Sequence, residues 1–323
     1  MELRHLRYFT AVAEEAHITR AAERLGIQQP PLSQQIRALE NELGVALFKR
    51  GPRGVTLTAA GEVFLRETRL VLAGAARAAE KAQLAARGQQ GEIAIGLTTS
   101  ATLHRLVPEI IGAFSRNYPD VALEIHEGNA ADLTEALARE TLQACFLRAV
   151  VDRPPGIAFM ELLQEDVLLA LPDGHRLLAG PAHRSGREPR VHLSDLAQER
   201  FILVRRHAAP GLYANLLEAC RRVGFEPLVV AEVGRMLTNI NLVAAGVGIS
   251  IVPASMRGIR LGGVHYRRLA ATPRLTAPLT LAYRAGDAHP TLVNLLTHAS
   301  RFRDGSGRTA TPSRASRSHP PAR

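Results

Sequence analysis

Residues 27–37 read IQQPPLSQQIR and gather side chains suited to the edges of base pairs. Gln29 and Gln34 carry amides that can pair with adenine, and Ser33 a hydroxyl that can meet a base or a phosphate. Pro30 and Pro31 add apolar ring atoms that can touch a thymine methyl, and Arg37 adds a cation. Directly behind, VALFKRGPRGVTLT places Lys49, Arg50 and Arg53 around a Gly51-Pro52-Arg53-Gly54 turn. Two short apolar runs about such a turn predict a hairpin, and its cations suit phosphates or the minor groove. A plain three-helix bundle with a proline-started helix is the competing reading. The glutamine-rich stretch and the basic hairpin together favour the nucleic-acid reading.

The elements that must hold these residues follow from spacing. Leu3, Leu6, Phe9, Val12 and Ala13 fall at helical intervals, which predicts a first helix over about 2–15. Thr19 is positioned to cap a second helix that ends near Leu25, with Gly26 beyond it. His17 just before it suits capping or a phosphate contact. A third helix runs over about 30–43 through Leu32, Ile36, Leu39 and Leu43 to Gly44. Proline inside a helix costs about 3 kcal/mol, but in the first turn its missing N–H had no partner. Pro30-Pro31 therefore begin the third helix cheaply and stiffen its entry. Two helices joined by a short turn form a helix-turn-helix pattern, whose second helix enters the major groove by its N-terminal end.

After the hairpin, Thr58 opens a proline-free, alanine-rich stretch to about Arg87. Its apolar positions lie on more than one face, so a partner helix in a dimer is the simplest account. From Gly91 the texture changes. EIAIGLTT reads as a strand, Leu106, Ile110 and Phe114 as a helix closed at Pro119, and VALEIHEG as the next strand. The alternation continues to about residue 300, which predicts α/β units on a largely parallel sheet. Residues 172–190 read as a loop region, and the last 20 lack periodicity and are expected to be disordered, with four Arg against one Asp.

Composition narrows the function classes. The 323 residues exceed one ordinary core, and 46% apolar with 22% charged is the balance of a globular protein. A net charge of +10 favours a polyanionic partner, yet residues 1–58 hold 8 Lys/Arg against 6 Asp/Glu, so charge alone does not single out that domain. No apolar run has the length of a membrane helix, and Glu14 and Glu15 stand where a signal peptide would be cleaved. A cytoplasmic chain is expected. Cys145 and Cys220 are two isolated thiols without a CxxC pair, which fits buried thiols in a reducing compartment and no zinc site. The chain has no GxSxG, GxxxxGK[ST] or HExxH, and Gly246-Val-Gly248-Ile lacks the third glycine of GxGxxG. The 12 histidines show no ligand spacing, and Ser100 has no base suggested by spacing. No enzyme, cofactor or metal is expected.

MELRHLRYFTAVAEE, TRAAERLGIQQPPLSQQIRALENELGVALFKR and RGVTLTAAG together resemble the N-terminal domain of LysR-type transcriptional regulators. The resemblance continues more loosely through EGNAADLTEAL and NLVAAGVGISIVPAS. It implies an all-α winged helix-turn-helix with a long dimerising linker helix, then an α/β two-lobed domain like periplasmic binding proteins. The division expected is 1–58 for DNA binding, 59–90 for the linker, 91–303 for the effector and 304–323 for the basic tail. The implied partners are double-stranded promoter DNA, a small effector, RNA polymerase and further copies of the chain, as a homodimer or homotetramer. PPLS with LVAAGVGISIVPAS is most similar to the branch that responds to aromatic-degradation products such as benzoate or muconate. Relatives often carry arginine at position 34, so Gln34 is a departure that removes a charge.

For the two-lobed domain the resemblance implies an effector cleft at the strand ends. Thr98, Thr99 and Ser100 follow a strand and precede a helix, where hydroxyls and N–H groups favour a carboxylate; simple capping is the alternative. Asn129 follows the next strand and offers an amide. Arg148 ends QACFLR and is placed to meet an anionic effector or Glu232 on the other lobe, a plain structural ion pair being equally open. Arg205, Arg206 and His207 make the loop 204–213 a further anion candidate, a solvated loop explaining them as well. Glu140 and Gln143 stand where relatives have a glycine and a Leu-Asp pair, so an altered turn before the Arg148 strand is expected.

Overall fold

The computed structural model describes residues 1–52, 54–148, 154–179, 190–204, 211–259, 261–270 and 275–303. Arg53, Arg205, Arg206, His207 and the tail 304–323 lie outside the described residues, as does most of the expected loop 172–190. The chain divides into two compact units, Met1–Ala86 and Arg87–Arg323.

The first unit holds α1 (Leu3–Glu15), α2 (Ile18–Leu25), α3 (Gln29–Leu43), the strands β1 (Phe48–Gly51) and β2 (Gly54–Leu57), and α4 (Ala59–Ala86). Gly26 and Gly44 end α2 and α3 at φ +66° and +70°, a left-handed cap that glycine adopts without Cβ strain. The expected cap at Thr19 is corrected. His17 is the extended residue before α2, and its ring Nδ1 accepts from the Thr19 N–H at 3.2 Å, so Thr19 lies one position inside the helix. Phe9, Val12, Ala21, Leu32, Leu39 and Leu47 form the core. Phe9 lies between Phe48 of the hairpin and Phe64 of α4, with ring centroids 5.2 and 4.9 Å away. The 28 residues of α4 span about 42 Å, yet only Gly61 and Thr68 are buried.

The second unit is two-lobed. Lobe one carries β3 (Gln90–Leu97), α5 (Thr99–Thr102), α6 (Leu106–Asn117), β4 (Asp120–Glu127), α7 (Ala130–Ala138) and β5 (Ala144–Leu147). The long strand β6 (Ile157–Pro172) then crosses into lobe two, which holds β7 (Arg190–Val191), β8 (Arg200–Val204), α8 (Gly211–Arg222), β9 (Leu228–Val233), α9 (Met236–Ala244), β10 (Ser250–Pro253) and β11 (Val264–Leu269). The chain returns by β12 (Thr276–Arg284) and ends its described part in α10 (Pro290–Arg303), which packs Leu292, Leu295 and Ala299 into the lobe-one core.

The sheet is mixed, which corrects the largely parallel expectation. β3 pairs in parallel with β4 and β5, and β8 with β9. The strands that join the lobes are antiparallel: β12 lies along Ile157–Asp166 of β6, and β10 and β11 along its remainder. A chain that leaves a lobe and returns to it through neighbouring strands must run back against itself. The turn before β5 keeps a glycine-like geometry without glycine. Glu140 adopts φ +63°, and the Gln143 side chain accepts from the Ala94 N–H at 2.7 Å, tying the turn to β3. No described helix is long and apolar enough to cross a membrane, and the described residues hold no cluster of three metal-ligating groups.

Candidate nucleic-acid interface and effector cleft

Burial of Leu32, Ile36 and Leu39 fixes which face of α3 is presented outward. That face carries Pro30, Gln34 and Arg37, one helical turn apart, with Gln29 and Pro31 exposed at the tip and Ser33 half-buried beside them. A helix normally opens with four N–H groups lacking a partner inside the helix. Here two of them are absent, because Pro30 and Pro31 occupy the first turn. The tip is therefore short of backbone donors, with the rings of Pro30 and Pro31 in their place beside the exposed Gln29 amide.

The hairpin is locked to this helix by Glu40, which no motif marks. Glu40 Oε1 accepts from the N–H groups of Leu47 and Phe48, at 2.8 and 3.0 Å. The other strand is tied to the turn between α1 and α2, where Val55 N–H donates to the Ala16 carbonyl at 2.9 Å. Gly54 permits that approach: a Cβ there would stand 2.3 Å from the Ala16 oxygen. Lys49 and Arg50 are exposed on β1, so the wing presents its cations from a position fixed by α1, α2 and α3. Arg24 and Arg69 both bond Glu14, and the Arg24 guanidinium first of all holds the Glu14 carboxyl below its usual range.

In the second unit, Thr98, Thr99 and Ser100 lie where β3 gives way to α5. Thr98 is buried, and its N–H donates to the Phe146 carbonyl at 3.1 Å. The Thr99 hydroxyl donates to Glu127 at the end of β4, so a carboxylate already faces it. Asn129 caps α7: its Oδ1 accepts from Asp132 N–H at 2.9 Å and its amide donates to the Asp132 carboxylate.

Arg148 is not paired with Glu232, and that expectation is corrected. Arg148 is 7% exposed at the end of β5, and its guanidinium pairs with Glu165 on β6, itself 9% exposed. It also donates to the Ser100 carbonyl at 3.0 Å and to Ser255 Oγ at 2.8 Å, while Ser255 donates to Glu165. A buried guanidinium needs a carboxylate at contact distance, and the crossing strand supplies one, whereas Glu232 stands exposed on β9. Burial pulls the Arg148 pKa down, and Glu165 offsets part of that pull. The structure thus joins Ser100, Arg148, Glu165 and Ser255 where the lobes meet. Glu165 and Ser255 had no motif to mark them. Both cysteines are buried thiols, pushed up to about 12 for Cys145 and about 11 for Cys220, values that rule out a reactive thiolate at neutral pH.

A winged helix-turn-helix followed by a two-lobed ligand domain on crossing strands is the architecture of a ligand-responsive transcriptional regulator. Residues 3–62 match the model of the bacterial regulatory helix-turn-helix proteins of the LysR family, and residues 86–301 match that of the LysR substrate binding domain. The chain belongs to the LysR family of transcriptional regulators. It is 40% identical to the HTH-type transcriptional regulator YnfL of Escherichia coli K12, over 84% of this chain and 88% of that protein. The structure of full-length CbnR complexed with target DNA is similar at TM-score 0.77 and 31% identity, covering 94% of this chain and 100% of that one. The BenM effector binding domain with its effector benzoate is similar at TM-score 0.57 and 27% identity, covering 69% of this chain and 96% of that one.

Proposed function

We propose that the chain binds promoter DNA through the N-terminal face of α3 and the basic wing, and that a small effector between the lobes sets its regulatory output. The observation that carries this reading is the donor-poor, proline-led tip of α3 with Gln34 and Arg37 on its exposed face, beside a wing pinned by Glu40. Pro30, Pro31, Gln29 and Ser33 meet base edges, and Arg37, Arg50 and Arg53 meet phosphates or guanine. Two copies joined through α4 fix the half-site spacing, and pairs of such dimers form a tetramer. Effector binding changes the pose of the subunits, hence the DNA bend and the access of RNA polymerase.

The effector reading is a small carboxylate, aromatic or aliphatic. The likeness to a domain that takes benzoate supports it. Glu127 beside Thr99 adds a requirement: the ligand offers a hydrogen-bond donor next to its acid group, or displaces that carboxylate. Ser100→Ala should weaken the response to the effector while DNA binding persists. A full response at limiting effector would leave that serine with a structural role alone.

The deciding experiment selects fragments of sheared genomic DNA with the purified protein at ~0.15 M salt, where non-specific affinity is already reduced. A few enriched sites with an interrupted inverted repeat support the reading, and the adjoining genes point to the effector. Uniform recovery of all fragments refutes it. Replacing Pro30 and Ser33 by alanine should lower affinity for the selected site by up to about 3 kcal/mol, with random DNA little changed.

A further inference from the structure

Lobe two holds a cavity of about 490 Å³ that none of the candidate effector residues line. Three arginines from three separate elements converge on it: Arg190 of β7, Arg257 of the short turn Ala254–Gly258, and Arg268 of β11. Among the described residues that line it, Asp166 of β6 is the one carboxylate, and Leu168 and Leu269 provide an apolar wall. The volume suits a small metabolite. Each arginine presents a planar fork of N–H donors that matches carboxylate and phosphate oxygens, and a guanidinium engaged by one edge can still offer another.

We propose that this cavity is a second, anion-binding site, distinct from the cleft at Ser100, for a small organic molecule carrying a doubly charged oxyanion on an apolar body. Its place in the fold makes it a second input. Asp166 follows Glu165 along β6, and successive side chains on a strand point to opposite faces. The carboxylate that takes Arg148 and the carboxylate that lines the cavity thus sit back to back on the strand that crosses between lobes.

The test titrates the full-length protein with inorganic phosphate and, separately, with succinate, following thermal melting against sodium chloride of matched ionic strength. A saturable upward shift with either probe is expected, phosphate alone assigning a phosphoryl group and succinate alone a carboxylate pair. In the Arg257→Gln, Arg268→Gln double variant the half-saturating concentration should rise at least tenfold. Ser100→Ala should leave it unchanged. No shift beyond the chloride control, an unchanged titration in the double variant, or loss in Ser100→Ala would each overturn the second site. Should the double variant lose its fold by circular dichroism, Arg257→Lys decides. It keeps the charge and removes the fork, so weakened binding supports the site and unaltered binding refutes it.

Discussion

Arg148 donates to Ser100, Ser255 and Glu165 from a position almost without solvent. Removing one partner of a buried pair strands the other charge, which costs roughly 3–5 kcal/mol, while replacing both with apolar groups of similar size is often close to neutral. Arg148→Ala should therefore lower urea stability by several kcal/mol, and Arg148→Met with Glu165→Leu by clearly less; equal losses would show that the pair is not energetically coupled. His104 and His298 are a second residue-scale case. Burial is the main cause that lowers both pKa values from 6.5, with Arg148 adding to the effect at His104 and Glu165 opposing it. For a base whose folded pKa is depressed, the unfolded chain takes up the proton first. Stability is then complete above about pH 6.5 and declines as pH falls toward the folded pKa. Comparing urea midpoints between pH 8 and pH 5.5 should show this fall, and His104→Gln should make it shallower. The outward face of α3 was legible, because the helical period of Leu32, Ile36 and Leu39 shows which side chains are left outside. Arg148's true partner was not legible, because Glu165 lies 17 residues further along in a strand whose crossing only the fold reveals.

At the scale of elements, the helices of the first unit and their glycine ends followed from periodicity and from Gly26 and Gly44, but the start of α2 at His17 and the mutual locking of the elements did not. Glu40 lies on α3 among other acidic and polar residues, and nothing in its spacing distinguishes it from a solvated surface side chain. Glu40→Ala would leave the N–H groups of Leu47 and Phe48 without their acceptor, a loss of about 1–3 kcal/mol. It should also weaken DNA binding through a loosened wing, measured by fluorescence anisotropy on a selected site. An unaltered affinity would mean that the wing is held without it. The turn before β5 gives the opposite sign. Glu140 at φ +63° pays a steric cost that glycine avoids, so Glu140→Gly should raise stability by about 0.5–1 kcal/mol, read from the denaturant midpoint. The largely parallel sheet expected from strand and helix alternation failed for a stated reason. Alternation describes each lobe locally, whereas β6 and β12 serve both lobes and are antiparallel.

For the whole molecule, α4 leaves Val63, Leu70 and Val71 exposed by 51%, 64% and 50%. So little burial fits the pairing of two copies through α4 proposed above, since helices draw most of their stability from tertiary packing. Leu70→Glu should shift the protein from dimers toward monomers in sedimentation velocity and cut affinity for an inverted repeat more than for a half-site. A dimer of undiminished strength would place the pairing surface elsewhere.

Lobe one is assembled from two stretches of chain, about 90–166 and 276–303, with all of lobe two between them. The ribosome therefore delivers the DNA-reading unit first and the last strand and helix of lobe one after everything else in the described chain. Until β12 has been added beside β5 and β6, and α10 has covered Ile110 and Phe114, the first half of lobe one cannot close its core. During synthesis, then, the helix-turn-helix unit precedes by some 200 residues the completion of the effector-binding domain.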